Sequence, residues 1–197
     1  MTSRKISHSL IDAEDSVLTV IDVQDVFLDK LPPQESEGLL SRVCWLIGVA
    51  QWKQIPVIVT AEEIQKQPLA SKLTQSLPAG ASVFDKVSFG LAHQPNVLAA
   101  AKETGRKTAV LIGLETDVCV THSAIGLLTE GYRVAVVADA TATPAPGQEI
   151  GLRRMQNAGA TIVSTKSLFY EWMRTIEMVN RFHKECPDLR EPAGIVL

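Results

Sequence analysis

Residues 108–139 read TAVLIGLETDVCVTHSAIGLLTEGYRVAVVAD, and this stretch decides the fold. The apolar run Thr108 to Gly113 gives way to a polar turn, Leu114-Glu115-Thr116-Asp117. Ala124, Leu127 and Leu128 then follow at helical spacing, and Gly131 precedes a second apolar run, Arg133 to Asp139. Apolar runs without alternation are strands buried on both faces. A glycine adopts the left-handed conformation beyond a helix end without a Cβ penalty, so Gly131 reads as a helix stop. Strand, helix, stop and strand make the right-handed crossover of a parallel sheet.

The same grammar extends in both directions. Further runs of strand character are Val17 to Val23, Pro56 to Thr60, Ala160 to Thr165 and, more weakly, Ser82 to Lys86. Helical spacing joins Leu39, Leu40, Val43, Ile47 and Ala50, and likewise Ile150, Met155 and Ala158. Gly105 and Gly159 repeat the stop before the next strand. The predicted fold class is α/β: a three-layer αβα arrangement around a mostly parallel, six-stranded, Rossmann-like sheet. At 197 residues, with no composition shift marking a linker, the chain is expected to form a single domain over 1–197, with 182–197 as a C-terminal extended arm. The apolar end of that arm, Ile195-Val196-Leu197, is expected to dock on the body or on a neighbouring subunit.

Bulk composition excludes several classes. A net charge of −3 without a basic stripe argues against nucleic acid as a partner. No apolar stretch reaches the roughly 20 residues that cross a bilayer, and Met1-Thr2-Ser3-Arg4-Lys5 leads into polar sequence rather than a signal core. A cytoplasmic protein without membrane contact is the expectation. The three cysteines, Cys44, Cys119 and Cys186, lack CxxC spacing, so reduced thiols and no zinc site are expected.

Ligands of open parallel sheets bind beyond the carboxyl ends of the strands. Three reactive side chains fall there. Asp22 lies near the end of Leu18-Thr19-Val20-Ile21-Asp22, Lys86 ends Ser82-Val83-Phe84-Asp85-Lys86, and Cys119 opens the helix after Thr108 to Gly113. A thiolate is favoured by a helix N-terminus or a nearby cation, which Lys86 could supply. Asp22 could take the thiol proton and return it to a leaving nitrogen. Taken singly, each residue has a plainer reading: a strand-end cap for Asp22, a solvated surface charge for Lys86, a small core side chain for Cys119.

The residues Gly113-Leu114-Glu115-Thr116-Asp117-Val118-Cys119-Val120, continued by Gly131-Tyr132-Arg133-Val134 and Val137-Ala138-Asp139-Ala140, closely resemble the cysteine-loop signature of the isochorismatase-like cysteine hydrolases. Ile21-Asp22-Val23-Gln24-Asp25-Val26-Phe27 looks like the aspartate motif of that superfamily, and Phe84-Asp85-Lys86-Val87-Ser88-Phe89 like its lysine motif. The closing region is most similar to the isochorismatase-domain-containing subgroup. The resemblance implies that Cys119 attacks a carbonyl, that Asp22 shuttles the proton, and that Lys86 holds the pair and lowers the thiol pKa. It also implies a cis Leu114–Glu115 peptide, an oxyanion hole from the backbone N–H groups of Glu115 and Cys119, and turnover through a thioester. The substrate implied is a small amide or ureido compound, and the assembly a homo-oligomer. Nicotinamidases carry an Asp-x-His metal segment after the second strand, where this chain has Thr60-Ala61-Glu62-Glu63-Ile64. That difference points to metal-independent chemistry with no cofactor.

If the strand assignments hold, Gln24, Phe27 and Glu62 line the substrate pocket, with Glu62 either recognising a polar group or capping a loop. Cys44 in an apolar helix and Cys186 in a proline-bearing tail are read as non-catalytic. His122 follows Cys119 by three residues and points along the helix side rather than into a shared pocket. His8, His93 and His183 show no ligand spacing. Hydrolysis of the isochorismate vinyl ether, which needs an acid but no nucleophilic thiol, is the competing enzymatic reading. A non-catalytic oligomeric scaffold is the third.

Overall fold

The computed structural model describes residues 10–78 and 80–197. The reading of Met1 to Lys5, and His8, lie outside the described residues. Six strands form one parallel sheet: β1 (Ser16–Ile21), β2 (Val57–Glu62), β3 (Val83–Lys86), β4 (Thr108–Leu114), β5 (Arg133–Ala142) and β6 (Thr161–Val163). Their spatial order is β3-β2-β1-β4-β5-β6. The order reverses between β1 and β4, the crevice where open α/β sheets take ligands.

Among the described residues, eight α-helices connect and cover the sheet: α1 (Asp25–Leu28), α2 (Pro33–Trp52), α3 (Ser71–Ser76), α4 (Pro95–Glu103), α5 (Thr121–Thr129), α6 (Gly147–Asn157), α7 (Thr165–Met173) and α8 (Ile176–Glu185). The central strands are buried along their whole length, which explains the unbroken apolar runs. Their alternate side chains feed two cores. Leu18, Val20, Val110 and Ile112 point to a core shared with α2, α7 and α8. Val17, Ile21, Ala109 and Leu111 point to one shared with α4, α5 and α6.

The helix-stop glycines Gly105, Gly131 and Gly159 all have positive φ. Gly113 has a stricter task. Its φ is +118°, and a Cβ there would overlap the Ile21 carbonyl, so β4 can approach β1 this closely only with glycine.

Two differences from the sequence reading stand out. Residues 182–185 are the last turn of α8, not an arm. Thr175 caps that helix by accepting a hydrogen bond from the Met178 N–H at 3.2 Å. Phe182 is fully buried, 5.3 Å from both Trp52 and Phe169 between ring centres. The non-helical tail begins after Glu185, and its terminal Leu197 packs against the body while Val196 is exposed. Secondly, Ile150 lies half exposed on α6, whereas Met155 carries the buried stripe.

Candidate active site

The three residues singled out at strand ends converge. Asp22 follows β1 in the left-handed region, with φ at 49°. Aspartate tolerates this better than a branched residue would. There its carboxylate faces the crevice instead of continuing the strand. Lys86 closes β3 and is fully buried, so its ammonium must find partners inside the protein. It lies 2.7 Å from Asp22 Oδ2, 3.5 Å from Cys119 Sγ, 3.8 Å from Glu62 Oε2 and 3.1 Å from the Ser88 carbonyl. The second carboxylate oxygen of Asp22 accepts a hydrogen bond from Thr60 Oγ1 at 3.0 Å.

Cys119 sits in a single π-helical turn, Thr116–Val120, that leads into α5. Such turns recur at functional sites because the wider winding re-aims a side chain. The Glu115 carbonyl accepts hydrogen bonds from both Val118 N–H and Val120 N–H, and Ser123 Oγ donates to the Cys119 carbonyl at 2.6 Å. Gln148 of α6 braces the turn from behind. It accepts from Thr116 Oγ1 at 2.6 Å while its amide donates to the Ala138 and Thr141 carbonyls of β5. The Leu114–Glu115 peptide at the head of the turn is cis.

Lys86 lowers the thiol pKa, as the resemblance implies, but burial acts more strongly the other way. Burial pushes the Cys119 thiol up to about 12, and the Asp22 carboxylate adds to that rise, while the opposing pull of Lys86 is too small to reverse it. Lys86 therefore does not produce a standing thiolate. Burial also raises Asp22 above the usual carboxylate range, despite the attraction of Lys86. Lys86 itself is disfavoured by burial but held above the ordinary lysine value by Asp22. The thiol therefore sits beside a buried carboxylate and ammonium 2.7 Å apart.

Of the residues expected to line the pocket, Glu62 joins the cluster and Gln24 does not. Gln24 is fully buried, and its amide is engaged by main chain. It accepts from Glu62 N–H at 2.7 Å and donates to the Glu62 carbonyl at 2.9 Å and to the Gln67 carbonyl. Gln24 thus holds the end of β2 in place instead of facing a substrate. Phe27 lies on α1, half-buried, with Lys30 Nζ 4.7 Å from its ring centre. Lys30 also pairs with Glu115 at 3.1 Å, which ties α1 to the cysteine loop.

His122 is exposed, its ring edge-on to Phe89 at 5.9 Å, and stands apart from the cluster. Cys44 and Cys186 are half-buried and remote from it in the fold, on α2 and just after α8. Thr60, Ser123 and Gln148 were not singled out from sequence. Thr60 left a trace, as a polar residue closing an apolar run; the other two have meaning only across the fold.

The donor atoms of Asp22, Glu62 and Cys119 lie within 4.8 Å of one another, a grouping that could in principle hold a cation. The Lys86 ammonium already stands within 2.7–3.8 Å of all three. A metal ion placed among these donors would meet that charge at close range.

Among the described residues no helix is long and apolar enough to cross a membrane. Comparison with known proteins agrees with the geometry. The isochorismatase domain profile matches residues 16–167. Isochorismatase family protein 2A of Dictyostelium discoideum is 29% identical over 174 residues, covering 84% of this chain and 86% of that protein. In fold, the chain is similar to a structure described as MAR1 ribonuclease from Caenorhabditis elegans (TM-score 0.82, 23% identity, 96% and 98% of the two chains). It is likewise similar to the YcaC gene product of Escherichia coli, described as an octameric hydrolase of unknown specificity (TM-score 0.81, 24% identity, 94% and 95% of the two chains). By its matched domain and its parallel six-stranded sheet, the chain belongs to the isochorismatase-like hydrolase family.

Proposed function

We propose that the protein is a metal-independent cysteine hydrolase that cleaves the C–N bond of a small amide or ureido compound through a thioester on Cys119. The observation that carries this reading is the buried Lys86 ammonium, 2.7 Å from Asp22 and 3.5 Å from Cys119. Because the thiol is neutral at rest, its proton leaves as the sulfur bonds to the carbonyl carbon, with Asp22 as acceptor. The oxyanion that forms is held by the backbone N–H groups of Glu115 and Cys119. As the C–N bond breaks, Asp22 returns the proton to the leaving nitrogen, and water then hydrolyses the thioester. A carboxylate with a raised pKa is suited to both directions of this transfer.

The same raised pKa supports a second reading. A protonated Asp22 could donate to a vinyl ether, and the thiol would then be dispensable. Support for a homo-oligomer comes from the octameric relative and from exposed apolar side chains such as Val87, Ile176 and Val196. The free state of all three cysteines fits a reducing compartment such as the cytoplasm.

The test is intact-mass analysis after incubation with an amide and ureide library. The expected result is an acyl adduct on the wild type that is absent from Cys119→Ala. Turnover of isochorismate that survives in Cys119→Ala would establish the second reading instead. Neither adduct nor turnover would leave a scaffold.

A further inference from the structure

We infer that Glu62 is the general base for the water that hydrolyses the acyl-enzyme, so that the two half-reactions use different carboxylates. This rests on the thioester reading above and divides its second half. Asp22 is fully buried, with one oxygen on Lys86 and the other on Thr60. Cys119 is 4% exposed, so an acyl group on its sulfur would add cover to an Asp22 that is already shut off from solvent. Water reaches the thioester carbonyl from the outer side. There the carboxylate of the cluster that keeps solvent contact is Glu62, whose side chain is 25% exposed.

Its reach is right for the chemistry. Glu62 Oε2 is 3.9 Å from Cys119 Sγ and 3.8 Å from Lys86 Nζ. Its main chain is gripped on both sides by the buried amide of Gln24, and it pairs in register with Lys86 across β2 and β3. A reactive side chain needs that kind of support to hold a productive geometry. A residue that merely coated the entrance would not.

The step balances. Glu62 takes one proton from water as the oxygen attacks the thioester carbon. The tetrahedral intermediate collapses with rupture of the C–S bond, expelling the Cys119 thiolate and leaving the product acid. Glu62 then returns its proton to the sulfur across the same contact. Asp22, which gave its proton to the leaving nitrogen in the first half, stays ionised on Lys86 throughout.

The experiment separates the halves with 4-nitrophenyl acetate on the full chain, following nitrophenolate release by stopped flow and the acyl adduct by quenched intact mass. Wild type should acylate on Cys119 and clear the adduct. Glu62→Gln should give an unchanged nitrophenolate burst and an adduct that persists, with deacylation slowed by about 10²–10⁴-fold, the usual contribution of a positioned base. Glu62→Asp, which retains a carboxylate, should recover part of that rate. Deacylation at the wild-type rate in Glu62→Gln overturns the inference while the thioester reading stands. Equal slowing of both halves in either variant also overturns it, since Glu62 would then act through Lys86 or through binding. If Gln at this position prevents folding, the partition in Glu62→Asp decides by the same criterion. Absence of any adduct on wild-type Cys119 defeats the thioester reading and this inference together.

Discussion

The two sides of the sheet are filled with different material. On the side of α2, α7 and α8, Trp45, Phe169, Trp172 and Phe182 are all 2% exposed or less, and the rings of Trp45, Phe169 and Phe182 interlock in tilted and edge-on contacts. On the side of α4, α5 and α6, glycines let segments approach closely, in one case with α6 set against the main chain of the turn that carries Cys119. A Cβ at Gly151 would come within 2.8 Å of Asp117 Cα, and one at Gly126 within 2.7 Å of Ala92 Cβ. The first side gains stability from buried area, which tolerates small readjustment. The second sets the position of the cysteine loop by contact between backbones, which tolerates little. The aromatic side and the side that positions the cysteine loop are therefore held by different kinds of contact.

This division can be broken in measurable ways. The largest effect is expected at the junction itself. Asp22→Asn should lower turnover by about 10²–10⁴-fold through loss of the proton acceptor. The same change removes a charge that raises the Cys119 pKa, so the thiol should ionise below about 12 and react faster with iodoacetamide near pH 8. An enzyme that loses activity while its nucleophile becomes more reactive would identify Asp22 as base; a slower alkylation would contradict the assigned sign.

Next comes Phe182→Ala on the aromatic side. Removing a fully buried ring should cost about 3–5 kcal/mol in urea unfolding. Below the transition, Cys119 alkylation should match the wild type, and a changed rate would show that the faces are not separable. The smallest stability change is expected for Gly151→Ala, about 1–3 kcal/mol from overpacking. Its effect should instead concentrate on kcat, because the added methyl presses on Asp117 and the Thr116 carbonyl, within the turn that carries Cys119. Unchanged kinetics in a folded Gly151→Ala would remove the argument that backbone contact sets the site.

The same contrast explains what could be read from sequence. The parallel sheet was legible because its signals are local: apolar runs such as Val110-Leu111-Ile112 and glycine stops such as Gly131 act within a few residues. Asp22, Lys86 and Cys119 were legible as strand-end reactive groups, since topology brings those ends together. Phe182 was not, because its burial depends on Trp45, Trp52 and Phe169, distant in the chain. Nor was the role of Gln24, which has meaning only once β2 lies beside β1. The neutral thiol escaped for a related reason. Proximity to a lysine is visible as a motif, but the desolvation that outweighs it is a property of the assembled interior.

Lys86 ends a strand of four residues at the edge of the sheet. Edge strands are ordinarily the first to fray, since only one side of their ladder is paired. Here the last residue of that strand is the cation that neutralises Asp22, so fraying would strand a carboxylate in the interior without its counter-charge. The edge is thus locked by an electrostatic latch at its tip. Under the proposed mechanism, local opening of the sheet margin and loss of activity become one event, and amide protons of β3 should exchange with solvent in step with separation of Lys86 from Asp22.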